Sequence, residues 1–162
     1  MNLYEWFFGK QKSALYLATH DNNTGLYNSN GFDMLYRDAD RKHSAMIIIE
    51  LMDCQNKPYR MIEKDMRRMA DEIRKSFRSV DDICRIRTDD IAIIMARMDT
   101  SKREVAEKKM EHLFEAVKPD SIVAGIAFGD RENPKADLFH DAVSALNRAR
   151  INGRDSYVVF GD

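Results

Sequence analysis

Asp81–Met98 reads DDICRIRTDDIAIIMARM. Two apolar, β-branched runs flank a short polar apex, Arg87-Thr88-Asp89-Asp90, and that is the pattern of a β-hairpin. The adjacent carboxylates at the tip have two readings. Asp is favoured in turns because its side chain bonds nearby backbone. Paired carboxylates also offer the hard oxygen ligands that Mg²⁺ takes.

Working outward, the flanking segments supply a core for this hairpin. Ser44–Met52 (SAMIIIELM) is a continuous apolar run of the length of a central strand covered on both faces. Glu50 interrupts it near the end, where a carboxylate either reaches solvent, pairs with an arginine or binds metal. Arg60–Arg78 is predicted to be helical. Ile62, Met66, Met69, Ile73 and Phe77 recur at helical spacing, and Pro58 precedes them where a helix tolerates proline. Ahead of the strand, residues 20–28 are rich in turn formers. Asn28 or Ser29 is placed to cap a helix from about Asn30 to Arg41, with Phe32, Leu35 and Tyr36 on one face.

Downstream, Lys102–Val117 has an amphipathic pattern whose apolar face is Val105, Ala106, Met110, Leu113, Phe114 and Val117. Ser121–Phe128 reads as a buried strand and Asp130–Lys135 as a loop. Asp137–Arg150 reads as a helix with Leu138, Ala142, Ala145, Leu146 and Ala149 inward, and Ser156–Phe160 as a closing strand. This order predicts a single α/β (α+β) domain with a central mixed, largely antiparallel sheet flanked by helices.

At 162 residues the chain suits one domain with a substantial core, and 44% hydrophobic residues suit a globular protein. A formal net charge of −1 provides no field to draw it to DNA, RNA or acidic lipid. No run of about 18 apolar residues and no signal peptide is present, so the expected location is the cytoplasm, with no membrane partner. Cys54 and Cys84 fit no metal or redox spacing and read as reduced, small hydrophobes. At the N-terminus Tyr4, Trp6, Phe7 and Phe8 either pack on the domain or form a docking patch for a partner or a second copy.

The hairpin resembles the signature of the GGDEF family, the diguanylate cyclase domain. The family pattern is Arg, any residue, then Gly-Gly-Asp/Glu-Glu-Phe, and here Arg85, Ile86 and then Arg87-Thr88-Asp89-Asp90-Ile91 stand in that register. His20, Asp21, Thr24, Gly25, Leu26, Asn28 and Phe32 match the family's opening motif H-D-x-L-T-G-L-x-N-R-R-x-F. Ala142, Ala145, Leu146, Ala149, Gly153 and Arg154 match its closing A-D-x-A-L-Y-x-A-K-x-x-G-R-N, with Arg150 in place of the Lys. Gly125 aligns with the glycine of its S-x-G. The chain is identified as a degenerate member, with residues 1–19 as an N-terminal helical segment and 20–162 as the domain.

The resemblance implies the palm-like fold of nucleotidyl cyclases and polymerases. It implies metal ligation by Glu50 and Asp89, phosphate contacts by Arg150 and Arg154, and weak binding of Mg²⁺ and GTP, with no organic cofactor. An R-x-x-D ahead of the signature is the family's inhibitory cyclic di-GMP site. Arg78 and Asp81 form one nine positions before Arg87, which is the family's spacing. An Arg fork matches the O6/N7 edge of guanine, and an Asp accepts from its other edge. A local ion pair is the other reading of the same two residues. The glycine pair lost at the tip permits positive φ and close approach of a ligand, which Arg87 and β-branched Thr88 do not. The expected function is therefore a non-cyclising signalling domain that binds cyclic di-GMP or GTP. The alternatives are a nucleotide-independent interaction or homodimerisation module and a residual cyclase.

Overall fold

The computed structural model describes residues 13–130 and 137–162. The aromatic cluster Tyr4, Trp6, Phe7 and Phe8 and most of the loop after Asp130 lie outside the described residues. The described elements are α1 (Ala14–Thr19), α2 (Ser29–Asp38), β1 (Ser44–Leu51), α3 (Tyr59–Ser76), β2 (Asp82–Arg85), β3 (Asp90–Ala96), α4 (Arg103–Ala116), β4 (Ile122–Phe128), α5 (Leu138–Asn152) and β5 (Ser156–Val159).

The sheet runs β2-β3-β1-β4-β5. β1 pairs antiparallel with both β3 and β4, β2 pairs antiparallel with β3, and β5 lies parallel to β4. The sheet is thus mixed, as expected, and the one parallel pair is joined through α5, the crossover that parallel strands require. The run of isoleucines puts β1 at the centre. Ile47 and Ile49 point to one face, packed with Ile62, Met66, Met69 and Ile73 of α3 and Met110 and Leu113 of α4. Met46 and Ile48 point to the other face, against Phe32 of α2 and Ala142, Ala145, Leu146 and Ala149 of α5. Burial on both faces explains why β1 and β4 show no polar alternation.

Gly125 lets α5 lie directly on β4: a Cβ there would stand 2.2 Å from the Ala142 carbonyl and 2.3 Å from the Leu146 nitrogen. The opening motif covers the edge of β2. Tyr27 donates its N–H to the Ile83 carbonyl, and its own carbonyl accepts from Arg85 at 2.7 Å. A sheet edge is thereby shielded from pairing with another chain. Asn28 caps α2, its side chain accepting from Gly31.

Two expectations are corrected. α3 ends at Ser76, so Arg78–Asp81 is a turn beyond the helix, closed by the Asp81 N–H on the Arg78 carbonyl at 3.0 Å. Val105 is exposed although it was placed on the inner face of its helix; α4 begins at Arg103, and Val105 in its first turn faces solvent beside the buried Ala106. Among the described residues no helix is long and apolar enough to cross a membrane.

Candidate functional site

One end of the sheet gathers the C-terminal ends of β1 and β2 and the N-terminal ends of β3, β4 and β5. The register opposes Glu50 to Asp90 across β1 and β3, and the Leu51 N–H donates to the Asp89 carbonyl at 2.8 Å. Ligand oxygens of Glu50, Asp89 and Asp90 come within 4.8 Å of one another. Antiparallel pairing therefore brings the strand-end carboxylate and the tip carboxylates together, although about 40 positions separate them in sequence.

Arginines meet these carboxylates. Arg150, in the last turn of α5, donates its Nε to Glu50 Oε1 at 2.8 Å and a terminal nitrogen to Oε2, a two-pronged pair that engages both carboxylate oxygens. Arg87 forms an ion pair with Asp90, its Nε 2.9 Å from Oδ2. Arg154 pairs with Asp53 at 2.5 Å, just beyond β1, where Asp53 takes a left-handed conformation at φ 64°. The tip turns without positive φ at Arg87, Thr88 or Asp89; among the described residues the non-glycine positions with positive φ are Asp53, Arg97 and Asp155.

The electrostatics follow from depth. Burial, then the negative charges of Asp89 and Glu50, push Asp90 up to about 7. Burial alone would raise Glu50 too, but the hydrogen bond and charge of Arg150 and the hydrogen bond from Asp90 hold it below the usual carboxylate range. Asp90 Oδ1 is buried with no hydrogen-bond partner. The donor set has the chemistry a divalent cation takes, yet both oxygens of Glu50 are already engaged by a fixed cation. An incoming ion would have to displace Arg150, so the site as it stands fits a metal poorly.

Behind the tip, Arg85 is buried and donates to three groups. It meets Asp21 at 3.3 Å, Glu63 of α3 at 3.0 Å and the Thr88 carbonyl at 2.7 Å. Thr24 completes the network by donating its N–H and hydroxyl to Asp21 Oδ2 at 2.8 and 2.7 Å. Burial works against Asp21, but Thr24 and Arg85 hold its carboxyl below the ordinary value. The matched opening motif thus serves as a brace for the hairpin.

At the opposite end of β2, Arg78 and Asp81 are paired. Arg78 donates from its backbone N–H (2.9 Å), Nε (3.2 Å) and a terminal nitrogen (2.6 Å) to the Asp81 carboxylate, and also reaches the Ala96 carbonyl at 2.6 Å. The Asp81 side chain has no exposure, and that of Arg78 retains 37%.

No protein-family model matches the sequence, and no curated protein does. Solved structures match over nearly the whole chain. A diguanylate cyclase/phosphodiesterase from Caldicellulosiruptor saccharolyticus is 20% identical with a TM-score of 0.69, over 91% of this chain and 96% of that one. The GGDEF domain of FimX from Pseudomonas aeruginosa is 18% identical with a TM-score of 0.72, over 87% and 98%. The GGDEF domain of DgcB from Caulobacter crescentus, solved with c-di-GMP, is 16% identical with a TM-score of 0.71, over 94% and 99%. This chain has the fold of a GGDEF domain.

Within the GGDEF fold, the residues singled out from sequence divide into two groups. Glu50, Asp89 and Arg150 converge at the signature hairpin, with Arg154 beside them on Asp53. Arg78 and Asp81 stand at the far end of β2. Sequence reasoning read Asp89 and Asp90 together as turn residues or metal ligands but carried only Asp89 into the site, and it missed Arg87 as a member of the cluster. It also missed Asp21, Glu63 and Arg85 as one network, because nothing in sequence spacing joins residues from a loop, a helix and a strand.

Proposed function

We propose that this chain is a GGDEF-fold signalling module that does not join GTP into a cyclic dinucleotide and that acts by binding another protein or a second copy of itself. The observation that carries this reading is the pairing of Glu50 with Arg150. The resemblance assigns the first to metal and the second to phosphate, and in this chain each satisfies the other. Arg87 and Thr88, exposed at the tip, fill the space that the signature glycines leave open for nucleotide. A misplacement of about 1 Å in such a site costs on the order of 100-fold in rate. A solved structure of similar fold, the diguanylate cyclase SiaD from Pseudomonas aeruginosa, was solved in complex with its activator SiaC, and regulation of that protein by a protein partner is in line with this reading. Incubation with GTP and Mg²⁺ or Mn²⁺, followed by chromatography, is expected to return GTP unchanged. Accumulation of cyclic di-GMP would overturn the proposal.

A second reading has its own support. Arg78 and Asp81 keep the family's spacing from the hairpin, the Arg78 guanidinium is partly open to solvent, and the DgcB domain was solved with c-di-GMP. Binding of cyclic di-GMP there requires the buried Asp81 carboxylate to give up its pair with Arg78. Calorimetry with cyclic di-GMP separates the readings: heat that disappears in Arg78→Ala supports the nucleotide site, and none at high micromolar ligand leaves the protein-binding reading alone.

A further inference from the structure

We infer that the guanidiniums of Arg150 and Arg87 stand in this chain where the GGDEF resemblance places a divalent cation, and that Arg150 alone keeps a latent cation site closed. The inference rests on the reading of the chain as non-cyclising and explains it at the level of two side chains. Three carboxylates offer ligand atoms within 4.8 Å of one another. Such a set repels itself unless positive charge lies among it. Arg150 supplies that charge through a planar fork that covers Glu50 Oε1 and Oε2 together, and Arg87 supplies it to Asp90 Oδ2.

The two arginines are not equivalent. Arg87 sits on the exposed tip with 65% of its side chain in solvent, so it can swing aside at little expense. Arg150 is held from both sides, by Glu50 and by Asn147 one turn earlier on α5. A divalent ion takes six or more oxygens, and with Arg150 in place each Glu50 oxygen already accepts from a guanidinium whose positive charge opposes the incoming ion. With Arg150 gone, Glu50 is released beside Asp89. Asp90, whose Oδ1 is buried and without a hydrogen-bond partner, is the third carboxylate of the set. Removal of one cation thus exposes a site for another.

Mn²⁺ titration, read by electron paramagnetic resonance with no nucleotide present, tests this on the whole chain. The wild type is expected to retain no Mn²⁺ at the sheet end. Arg150→Ala is expected to bind one ion at least ten-fold more tightly than wild type, and Arg150→Ala with Glu50→Gln to lose it again. Arg150→Gln keeps most of the side-chain stem and serves as the second variant should the alanine form fail to fold. A wild type that binds Mn²⁺ through Glu50 overturns the inference, and so does a folded Arg150→Gln or Arg150→Ala with no gain. The latter result leaves the non-cyclising reading intact, whereas GTP turnover by the wild type sinks that reading itself.

Discussion

Arg85 and Glu63, on β2 and α3, are locked together by both terminal nitrogens of the guanidinium, and the same group reaches Asp21 and the Thr88 carbonyl. One buried side chain thus fastens the opening loop, the long helix and the hairpin tip. Burial lowers the proton affinity of Arg85, but Glu63 and Asp21 more than restore it, so the group stays charged.

Arg85→Met would leave two partly buried carboxylates without their cation. Breaking a buried ion pair from one side costs about 3–5 kcal/mol. Urea denaturation is expected to show a loss of that size. Adding Glu63→Leu is expected to recover part of it, because the orphaned charge goes too. Equal midpoints for wild type and Arg85→Met would show that the network is decorative.

Asp81→Ala removes the acceptor for the Arg78 backbone and side chain at a position with no exposure. Hydrogen bonds to charged groups contribute about 1.5–3 kcal/mol, and the loss is expected within that range. Arg78→Ala should cost more, since it leaves the buried Asp81 carboxylate with the backbone N–H but without its cation. Thermal melts of the two variants decide the order, and the reverse order would mean that Asp81 reaches water once Arg78 is gone.

Asp90 gives stability a pH dependence of known sign. Its folded-state value, about 7, lies above the ordinary 3.8. Between those values the unfolded chain has released the proton and the folded chain still holds it, so stability falls as pH rises through that window. Glu50, Asp21 and Glu63 have depressed values and act oppositely, below about pH 4.5. Urea midpoints measured from pH 5 to 8 should fall in the wild type and stay flatter in Asp90→Asn. Parallel curves would show that Asp90 ionises freely in the folded chain.

Gly125→Ala would drive a methyl group into the Ala142 carbonyl and the Leu146 backbone. The contacted atoms belong to helix backbone and cannot rotate away, so α5 must lift from β4. Overpacking of this kind costs about 1–3 kcal/mol. A melting temperature unchanged by the substitution would show that α5 sits further from the sheet than described.

Much of this architecture was legible in the chain itself. The isoleucine run placed a central strand, and helical spacing placed the inward faces of α3 and α5, because burial imposes a period that needs no tertiary knowledge. Boundaries moved by one to three residues, and the turn at Arg78–Asp81 was placed on a helix end because spacing alone does not show where hydrogen bonding stops. The candidate residues were also found from sequence. Their partners were not, apart from the Arg78–Asp81 ion pair, which stood as one of two readings.

The amino-acid sequence by itself determined the strand and helix order, the hairpin, its Arg87-Thr88-Asp89-Asp90 tip and the identity of the charged groups near it. Only the tertiary structure decided which charges cancel: Glu50 with Arg150 across 100 positions, Arg85 with Asp21 and Glu63, Arg78 with Asp81. Periodicity is a local property that one helix or strand expresses alone. An ion pair depends on where two distant backbones place their side chains, to within an ångström, and on how much water the surrounding core leaves between them.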